Sequence, residues 1–192
     1  MHEIVREWFE ESIETAQKSL ALSDVVSQAA GVMVNALKAG RRILVCGNGG
    51  SAADSQHFAA ELIGRFETER AALPCVALTT DTSILTAMSN DYGYDSVFAR
   101  QVSALGAPGD VLVGISTSGN SASVERALVE GRSKGMSLVA LLGRDGGRIG
   151  TLEDVCRILV PSSRTSVIQQ VHITILHAWA RVIDDAFRGA SM

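Results

Sequence analysis

The sequence predicts a three-layer α/β/α sandwich on a five-stranded parallel sheet, preceded by two helices for oligomerisation. Five short apolar runs recur, each continuous rather than alternating, which is typical of strands covered on both faces. Helical stretches lie between most runs, and this alternation indicates a parallel sheet. We expect a single domain over 1–192, with 1–40 as a helical oligomerisation segment and 41–192 as the sandwich with its C-terminal helix.

Two helices come first. Helical periodicity covers roughly 3–20 and 24–39, with no strand signal. Apolar side chains recur at Ile4, Trp8, Ile13 and Leu20 in the first helix, and at Val25, Val32 and Leu37 in the second. A lone sandwich would leave these side chains exposed. We therefore expect a homotetramer with the two helices at its centre.

The five strands and a closing helix follow. The apolar runs lie at 42–46, 75–79, 111–115, 137–142 and 156–160. The closing helix opens at Thr165 or Ser166 and runs to about Phe187.

Composition and charge argue against several classes of protein. The apolar fraction is 46%, the net charge is −4, and no block of Lys or Arg indicates a nucleic-acid partner. The N-terminal sequence is unlike a signal peptide, and no apolar run approaches the ~20 residues that span a bilayer. Cys46, Cys75 and Cys156 lack paired spacing and are expected to be buried, reduced thiols. We expect a cytoplasmic protein with no nucleic-acid or membrane partner.

The first strand leads into the glycine-rich turn Gly-Asn-Gly-Gly-Ser, at 47–51, and then into a helix. A turn after a parallel strand lies at the sheet edge where open α/β folds bind ligands. Glycines let the backbone approach an anion, and a helix N-terminus offers free N–H groups. We expect Ser51 to cap the helix and donate its hydroxyl. A plain strand-to-helix turn is the alternative, since the spacing matches neither a dinucleotide motif nor a Walker loop.

A hydroxyl-rich loop follows the third strand. It carries Ser116, Thr117, Ser118 and Ser121, and helical sequence comes directly after it. Four hydroxyls and the N–H groups of a helix start suit a phosphate monoester. One such residue would be an ordinary helix cap. Four of them, on the same sheet edge as the glycine-rich turn, favour a phosphate site.

Two helices carry a possible metal site. His57 and Glu61 are four residues apart and project from one helix face. In the closing helix, Gln169, His172 and His177 interrupt an apolar surface. Alone, a core histidine or a surface His–Glu pair is more often structural. Together, these nitrogen and oxygen donors suit zinc or a similar divalent ion.

Helix geometry restricts how the closing helix contributes. Gln169 and His177 are separated by a rise of ~12 Å, so both reach one ion only if it sits between them, the helix kinks, or two subunits donate ligands. His172 lies about 140° from His177 around the axis, so the two cannot point at one site. This geometry favours an oligomer with interfacial active sites.

These motifs resemble a known family. The stretches CGNGGSAAD…HFAAEL, SNDYGYD, GISTSGNS and IQQVHITILH are similar to those of the phosphoheptose isomerases, in the sugar isomerase (SIS) domain superfamily. The resemblance implies a flavodoxin-like sandwich and a homotetramer. It also implies an aldose–ketose isomerase that converts sedoheptulose 7-phosphate to D-glycero-D-manno-heptose 7-phosphate through an enediol. That reaction supplies heptose for the lipopolysaccharide core or a related glycan.

The resemblance also implies residue roles. One zinc ion per site would be bound by His57, Glu61, Gln169 and His177, and Glu61 and His177 would shuttle protons. The substrate would be bound by Asn48, Gly49, Gly50, Ser51, Glu61, Asn90, Asp91, Ser116, Thr117, Ser118, Ser121 and Gln169. Some members carry an acidic residue where this chain has Ser166. That departure changes the local electrostatics rather than the reaction class.

An alternative comes from a different functional class. A non-enzymatic relative binds the bacterial replication initiator and forms similar tetramers. The stretches RFETER (65–70) and LGAPGDVL (105–112) resemble it as well as they resemble the isomerases. Such an adaptor has no need of Glu61, His177 or the Ser118-Gly119 pair, and all are present here. These positions favour the isomerase. A sugar-phosphate-sensing regulator would need a further module for which the chain has no room.

Overall fold

The computed structural model describes residues 1–189 and centres on a parallel sheet. Its strands are β1 (Ile43–Gly47), β2 (Cys75–Ala77), β3 (Val111–Ser116), β4 (Ser137–Gly143) and β5 (Val155–Val160). They are ordered β2-β1-β3-β4-β5, and every neighbouring pair is parallel. The fold class predicted from the sequence is confirmed. The predicted domain covers 1–192, and its last three residues, 190–192, lie outside the described residues.

Helices cover both faces of the sheet. They are α1 (His2–Ser19), α2 (Ser23–Lys38), α3 (Gly50–Ile63), α4 (Thr82–Tyr92), α5 (Val97–Leu105), α6 (Ala122–Ser133) and α7 (Thr165–Ala186). Side chains alternate between two hydrophobic cores. In β1, Ile43 and Val45 face α2, α3 and α7, whereas Leu44 and Cys46 face α5 and α6. This arrangement explains why the central strands read as continuous apolar runs.

The outer strands are less covered than the sequence predicts. β1 and β3 are buried throughout, but β2 and β5 form the sheet edges, where Val76 and Leu159 are exposed. An edge strand packs against a helix layer less completely than a central strand does. Cys156 of β5 is accordingly half-buried, while Cys46 and Cys75 are buried, and all three thiols are free.

The first helix exposes its apolar side chains and the second buries them. Ile4 of α1 is 68% exposed, and Leu20, in the short 3-10 turn after α1, is 72% exposed, as the sequence predicts. The expectation for α2 is wrong, because Leu37 is buried in the core and Val25 and Val32 pack against it. The periodicity of α2 reflects its contact with α7 in the same chain. Only α1 presents a largely open apolar face.

One segment of residues 1–189, His2–Lys38, is long and apolar enough to cross a membrane, with a mean hydropathy of 1.4 over its best window. This finding differs from the expectation that no apolar run approaches the length of a bilayer span. Length and composition are weak indications, since helices of globular cores pass the same test. Here Ala30 and Met33 of α2 are buried within the domain.

The buried His172 belongs to the core. Its side chain is fully buried on α7, and Nε2 lies 3.1 Å from the Leu142 carbonyl oxygen, to which it donates when neutral. Nδ1 is buried without a hydrogen-bond partner in the described part of the chain. Burial lowers the pKa of His172 to about 4, while the Leu142 hydrogen bond opposes this shift. The imidazole is therefore neutral in the folded protein at physiological pH.

We expect His172 to weaken the fold on acidification. Between pH 6.5 and 4 the unfolded histidine binds a proton that the folded one does not, so the parent should lose about 3 kcal/mol relative to His172→Gln. Urea unfolding of both proteins across this range measures the difference. His2→Gln, at an exposed position, is the control and should follow the parent. Parallel curves for the parent and His172→Gln would contradict this assignment.

Candidate functional site

The glycine-rich turn after β1 and the hydroxyl-rich loop after β3 meet at the carboxyl edge of the sheet. β1 lies between β2 and β3, so the connection from β1 leads to one neighbour, β2, and the chain later returns to the other side of β1 as β3. That change of direction opens a crevice in α/β folds. Asn48 spans it, because its Nδ2 donates to Ser121 Oγ (2.8 Å) and Ser123 Oγ (3.0 Å). The hydroxyl of Tyr94 donates to Asn48 Oδ1 (2.6 Å).

Gly49 and Gly50, rather than Ser51, form the start of α3. Gly49 is the N-cap, with a left-handed φ of 56°, and α3 starts at Gly50. The prediction that Ser51 caps the helix is wrong, since Ser51 lies inside the first turn and is buried. A Cβ on Gly50 would lie 2.4 Å from Gln169 Nε2. A larger residue at this position would therefore require the Gln169 carboxamide to move.

The hydroxyl-rich loop is held in a fixed shape. Ser116 ends β3 and is buried, and Gly119 adopts a φ of 65°. A Cβ on Gly119 would lie 1.8 Å from the Gly146 carbonyl oxygen, so no larger residue fits. Ser121 is the N-cap of α6, but its side chain makes no capping bond. That hydroxyl accepts from Asn48 instead, which ties the loop to the glycine-rich turn.

Thr117 and Ser118 complete this loop. Both are partly exposed, as a ligand-binding hydroxyl must be. Ser118 Oγ accepts from the Asn120 backbone N–H at 3.2 Å, and the Asn120 side chain donates to the Ser118 carbonyl at 3.0 Å. The loop therefore carries its own hydrogen bonds and is ordered before any ligand arrives.

His57, Glu61 and His177 converge further along α3 and α7. His57 Nε2 lies 2.9 Å from Glu61 Oε1 and 3.5 Å from His177 Nε2. One donor atom from each of the three side chains lies within 4.8 Å of the other two. The Phe66 ring stacks on His177, with centroids 5.4 Å apart and planes 23° apart. All three side chains come from a single chain, and whether a second subunit adjoins this cluster stays a prediction.

The other predicted site residues lie at different distances from these centres. Gln169 contacts the start of α3 at Gly50. Asn90 and Asp91 lie in the last turn of α4, where the Asn90 side chain donates to Asp91 at 2.9 Å. Among residues 1–189, no hydrogen bond joins Asn90 or Asp91 to either loop. The closing helix α7 begins at Thr165, as the sequence predicts, with Arg164 as its N-cap.

Asp54 is a carboxylate that the sequence analysis missed. It lies on α3 one turn before His57, and its Oδ2 is buried with no hydrogen-bond partner among residues 1–189. Burial raises its pKa to about 6, and the nearby His57 opposes that shift. A carboxylate in a polar run of α3 reads as a surface residue, so no sequence signal marks it.

Comparison with known proteins identifies the family. The SIS domain family matches residues 7–143. The phosphoheptose isomerase of Rhodospirillum rubrum is 55% identical over 161 residues, covering 84% of this chain and 85% of the relative. The chain belongs to the phosphoheptose isomerase family of SIS domain proteins. The phosphoheptose isomerase of Aliarcobacter butzleri is 50% identical, over 95% of this chain and 96% of that protein.

The fold of the family matches as well. The structure of phosphoheptose isomerase GmhA from Neisseria gonorrhoeae superimposes with a TM-score of 0.90 at 49% identity, over 96% of this chain and 98% of that one. The Francisella tularensis phosphoheptose isomerase gives a TM-score of 0.92 at 39% identity. The whole domain, including its N-terminal helices, is therefore the architecture of phosphoheptose isomerases.

Tyr94, Ser123 and Phe66 contact the predicted site residues but were not predicted themselves. Tyr94 lies within SNDYGYD, a stretch in which the resemblance to phosphoheptose isomerases pointed only to Asn90 and Asp91. Its contact with Asn48 joins residues 46 positions apart. Periodicity and local motifs do not reveal such a pairing.

We expect Tyr94→Phe to weaken phosphate binding. The substitution removes the donor that orients the Asn48 carboxamide between the two loops, and one such bond contributes a factor of about 2 to 10. NMR titration with inorganic phosphate should show a Kd raised by that factor. Tyr92→Phe is the control, because Tyr92 is exposed at the end of α4 and stacks under Arg100. An unchanged Kd for Tyr94→Phe, or an equal rise in the control, would count against the role of Tyr94.

Proposed function

We propose that the protein is an aldose–ketose isomerase that converts sedoheptulose 7-phosphate to D-glycero-D-manno-heptose 7-phosphate. The observation that carries this proposal is the spacing along α3. The loops suited to phosphate meet its first turn, and the His57–Glu61–His177 cluster lies 7 to 11 residues further on, a rise of about 10–16 Å. An extended seven-carbon chain with a terminal phosphate spans about 10 Å by standard bond lengths. The names of its relatives agree with this substrate.

The phosphate end of the substrate would be held by the two loops. The partly exposed hydroxyls of Thr117 and Ser118 would contact the phosphate first, and those of Ser51, Ser116 and Ser121 would complete the site with the N–H groups that begin α3. Neutral donors and a helix N-terminus favour an anion without a fixed cation. Binding energy gained at this end positions the reacting carbons at the other.

We propose one zinc ion per site, held by His57, Glu61, Gln169 and His177. Two imidazole nitrogens and a carboxylate oxygen already converge within 4.8 Å, and this donor set suits zinc. Gln169 lies on α7 eight residues before His177, so its carboxamide would reach the ion from the phosphate side. Bound zinc would polarise the substrate carbonyl and orient the adjacent hydroxyl.

Glu61 and His177 would carry the protons. Conversion of a ketose to an aldose removes a proton from C1 and returns one to C2, while a proton moves between the two oxygens. The Glu61 carboxylate is suited to the carbon-bound proton and the His177 imidazole to the oxygen-bound one. The half-buried Glu61 faces the groove between α3 and α7, and Phe66 fixes the plane of the His177 ring. The side chains that carry protons are thus ordered before the substrate binds.

We further propose a cytoplasmic enzyme of heptose precursor synthesis, for the lipopolysaccharide core or a related glycan. The three free cysteines agree with a reducing compartment. Phosphorylated sugars do not cross membranes unaided. Their isomerase would therefore share the cytoplasm with the enzymes that make them.

We propose that the protein assembles as a homotetramer through its N-terminal helices. Ile4, Val5, Phe9 and Ile13 of α1 are each more than half exposed, which is unusual for large apolar side chains. A groove of about 270 Å³ lies between the end of α1, the start of α2, and α7. Closed symmetric packing of such helices would bury both surfaces.

Light scattering tests the assembly. We expect four chains per particle at micromolar concentration, because a lone chain leaves the apolar face of α1 in water. Ile13→Glu should shift the mass downward, since it places a charge in that face. Thr86→Glu, on the exposed α4, is the control. A monomeric parent would contradict the tetramer.

The isomerase proposal is tested by Glu61→Gln. The substitution keeps the side-chain size but removes the group that accepts the proton, so turnover of sedoheptulose 7-phosphate should fall at least ~10²-fold. NMR of the sugars with purified, zinc-loaded protein measures this. Glu153→Gln, at an exposed turn before β5, is the control and should retain activity.

Two outcomes would contradict this scheme. A parent protein that leaves sedoheptulose 7-phosphate unchanged would refute the enzyme and favour the initiator-binding alternative. Full activity in Glu61→Gln would leave the reaction standing and refute the assignment of its base.

A further inference from the structure

The segment after α3 contains a buried ion pair that the proposed reaction does not use. Arg70, the last residue of the RFETER stretch, places its Nε 2.8 Å from Asp184 Oδ1 on α7, and both side chains are 0% exposed. Desolvating two charges costs free energy, so a buried pair is stable only when its remaining hydrogen bonds are satisfied. Here they are satisfied by backbone groups close to the predicted acid–base residues.

Arg70 binds the end of α3. Its Nη2 donates to the Glu61 carbonyl oxygen (2.7 Å) and its Nη1 donates to the Leu62 carbonyl (2.9 Å). The last carbonyls of a helix have no partner within it, and a cation there is favoured by the helix dipole. The guanidinium therefore fixes the backbone of Glu61 itself.

Asp184 binds the loop that follows α3. Its Oδ2 accepts from the backbone N–H groups of Glu67 (2.8 Å) and Thr68 (2.9 Å). These residues adjoin Phe66, whose ring stacks on His177. Asp184 lies seven residues after His177, close to two helical turns, so both lie on one face of α7.

We propose that Arg70 and Asp184 are positioning residues for the site. The pair sets the distance between the end of α3 and α7, and with it the placement of Glu61, Phe66 and His177. This inference rests on the proposed function for its catalytic consequence. The effect on the donor cluster can be measured without catalysis, as zinc affinity.

Arg70→Lys tests the proposal. Lysine keeps the charge facing Asp184 but cannot bind both carbonyls at the end of α3. We expect a zinc Kd raised about 10-fold or more, as for residues that orient metal ligands. At saturating zinc, kcat should fall by up to about 10²-fold, the effect of a misplacement near 1 Å, with KM changed less than about twofold.

A matched control separates positioning from stability. Leu128→Ala opens a cavity in the core on the opposite face of the sheet and lowers Tm without touching the site. At a temperature well below both Tm values, this control should keep the zinc Kd and the kcat of the parent. Equal zinc affinity and kcat in Arg70→Lys and Leu128→Ala would overturn the proposal.

Phe66→Leu provides a second test if Arg70→Lys does not fold. It leaves the ion pair in place and removes only the ring on His177, so zinc affinity and kcat should fall while Tm stays near that of the parent. Parent-like values in Phe66→Leu would overturn the proposal. A parent that binds zinc but does not isomerise the sugar would refute the proposed function alone, because zinc Kd would still report on positioning.

Discussion

The site depends on how closely α3 and α7 pack. Both helices follow strands of a parallel sheet and therefore run in the same direction across its face. They meet where the Gln169 carboxamide of α7 lies against Gly50, at a place that a larger side chain at residue 50 would contest. From that contact the two helices stay together, past the donor cluster of His57, Glu61 and His177, to the buried Arg70–Asp184 pair. One helix interface thus carries both the donor cluster and the buried ion pair.

The two ends of α3 lie at different parts of the candidate site. Its first turn lies at the crevice between β1 and β3, where Asn48 joins the glycine-rich turn to the hydroxyl-rich loop. Further along α3, His57 and Glu61 meet His177 of α7 in the donor cluster. The rigid helix fixes this separation, because hydrogen bonds within a helix hold the rise per residue constant. In the proposed reaction, this one helix would set the distance between the phosphate site and the proton-transfer groups.

Much of this arrangement was predictable from sequence. Continuous apolar runs gave the five strands, and the motifs at Asn48–Ser51 and Ser116–Ser121 placed two loops on one edge. Local sequence patterns did not predict the contacts between residues that are far apart in the chain. The second-helix stripe that contains Leu37 faces α7 rather than a partner, and Tyr94 and Arg70 act through residues far along the chain. Periodicity shows that a face is buried but does not identify what it packs against.

In the proposed reaction, groups at this interface move a proton between two carbons of a phosphorylated sugar. The most direct measurement is conversion of sedoheptulose 7-phosphate by the zinc-loaded protein in D₂O, followed by NMR. A proton that leaves C1 and exchanges with solvent before one returns to C2 should place deuterium at C2 of the aldose. The absence of conversion would contradict the proposed reaction, and conversion with no deuterium in either sugar would contradict a proton that exchanges with solvent during transfer.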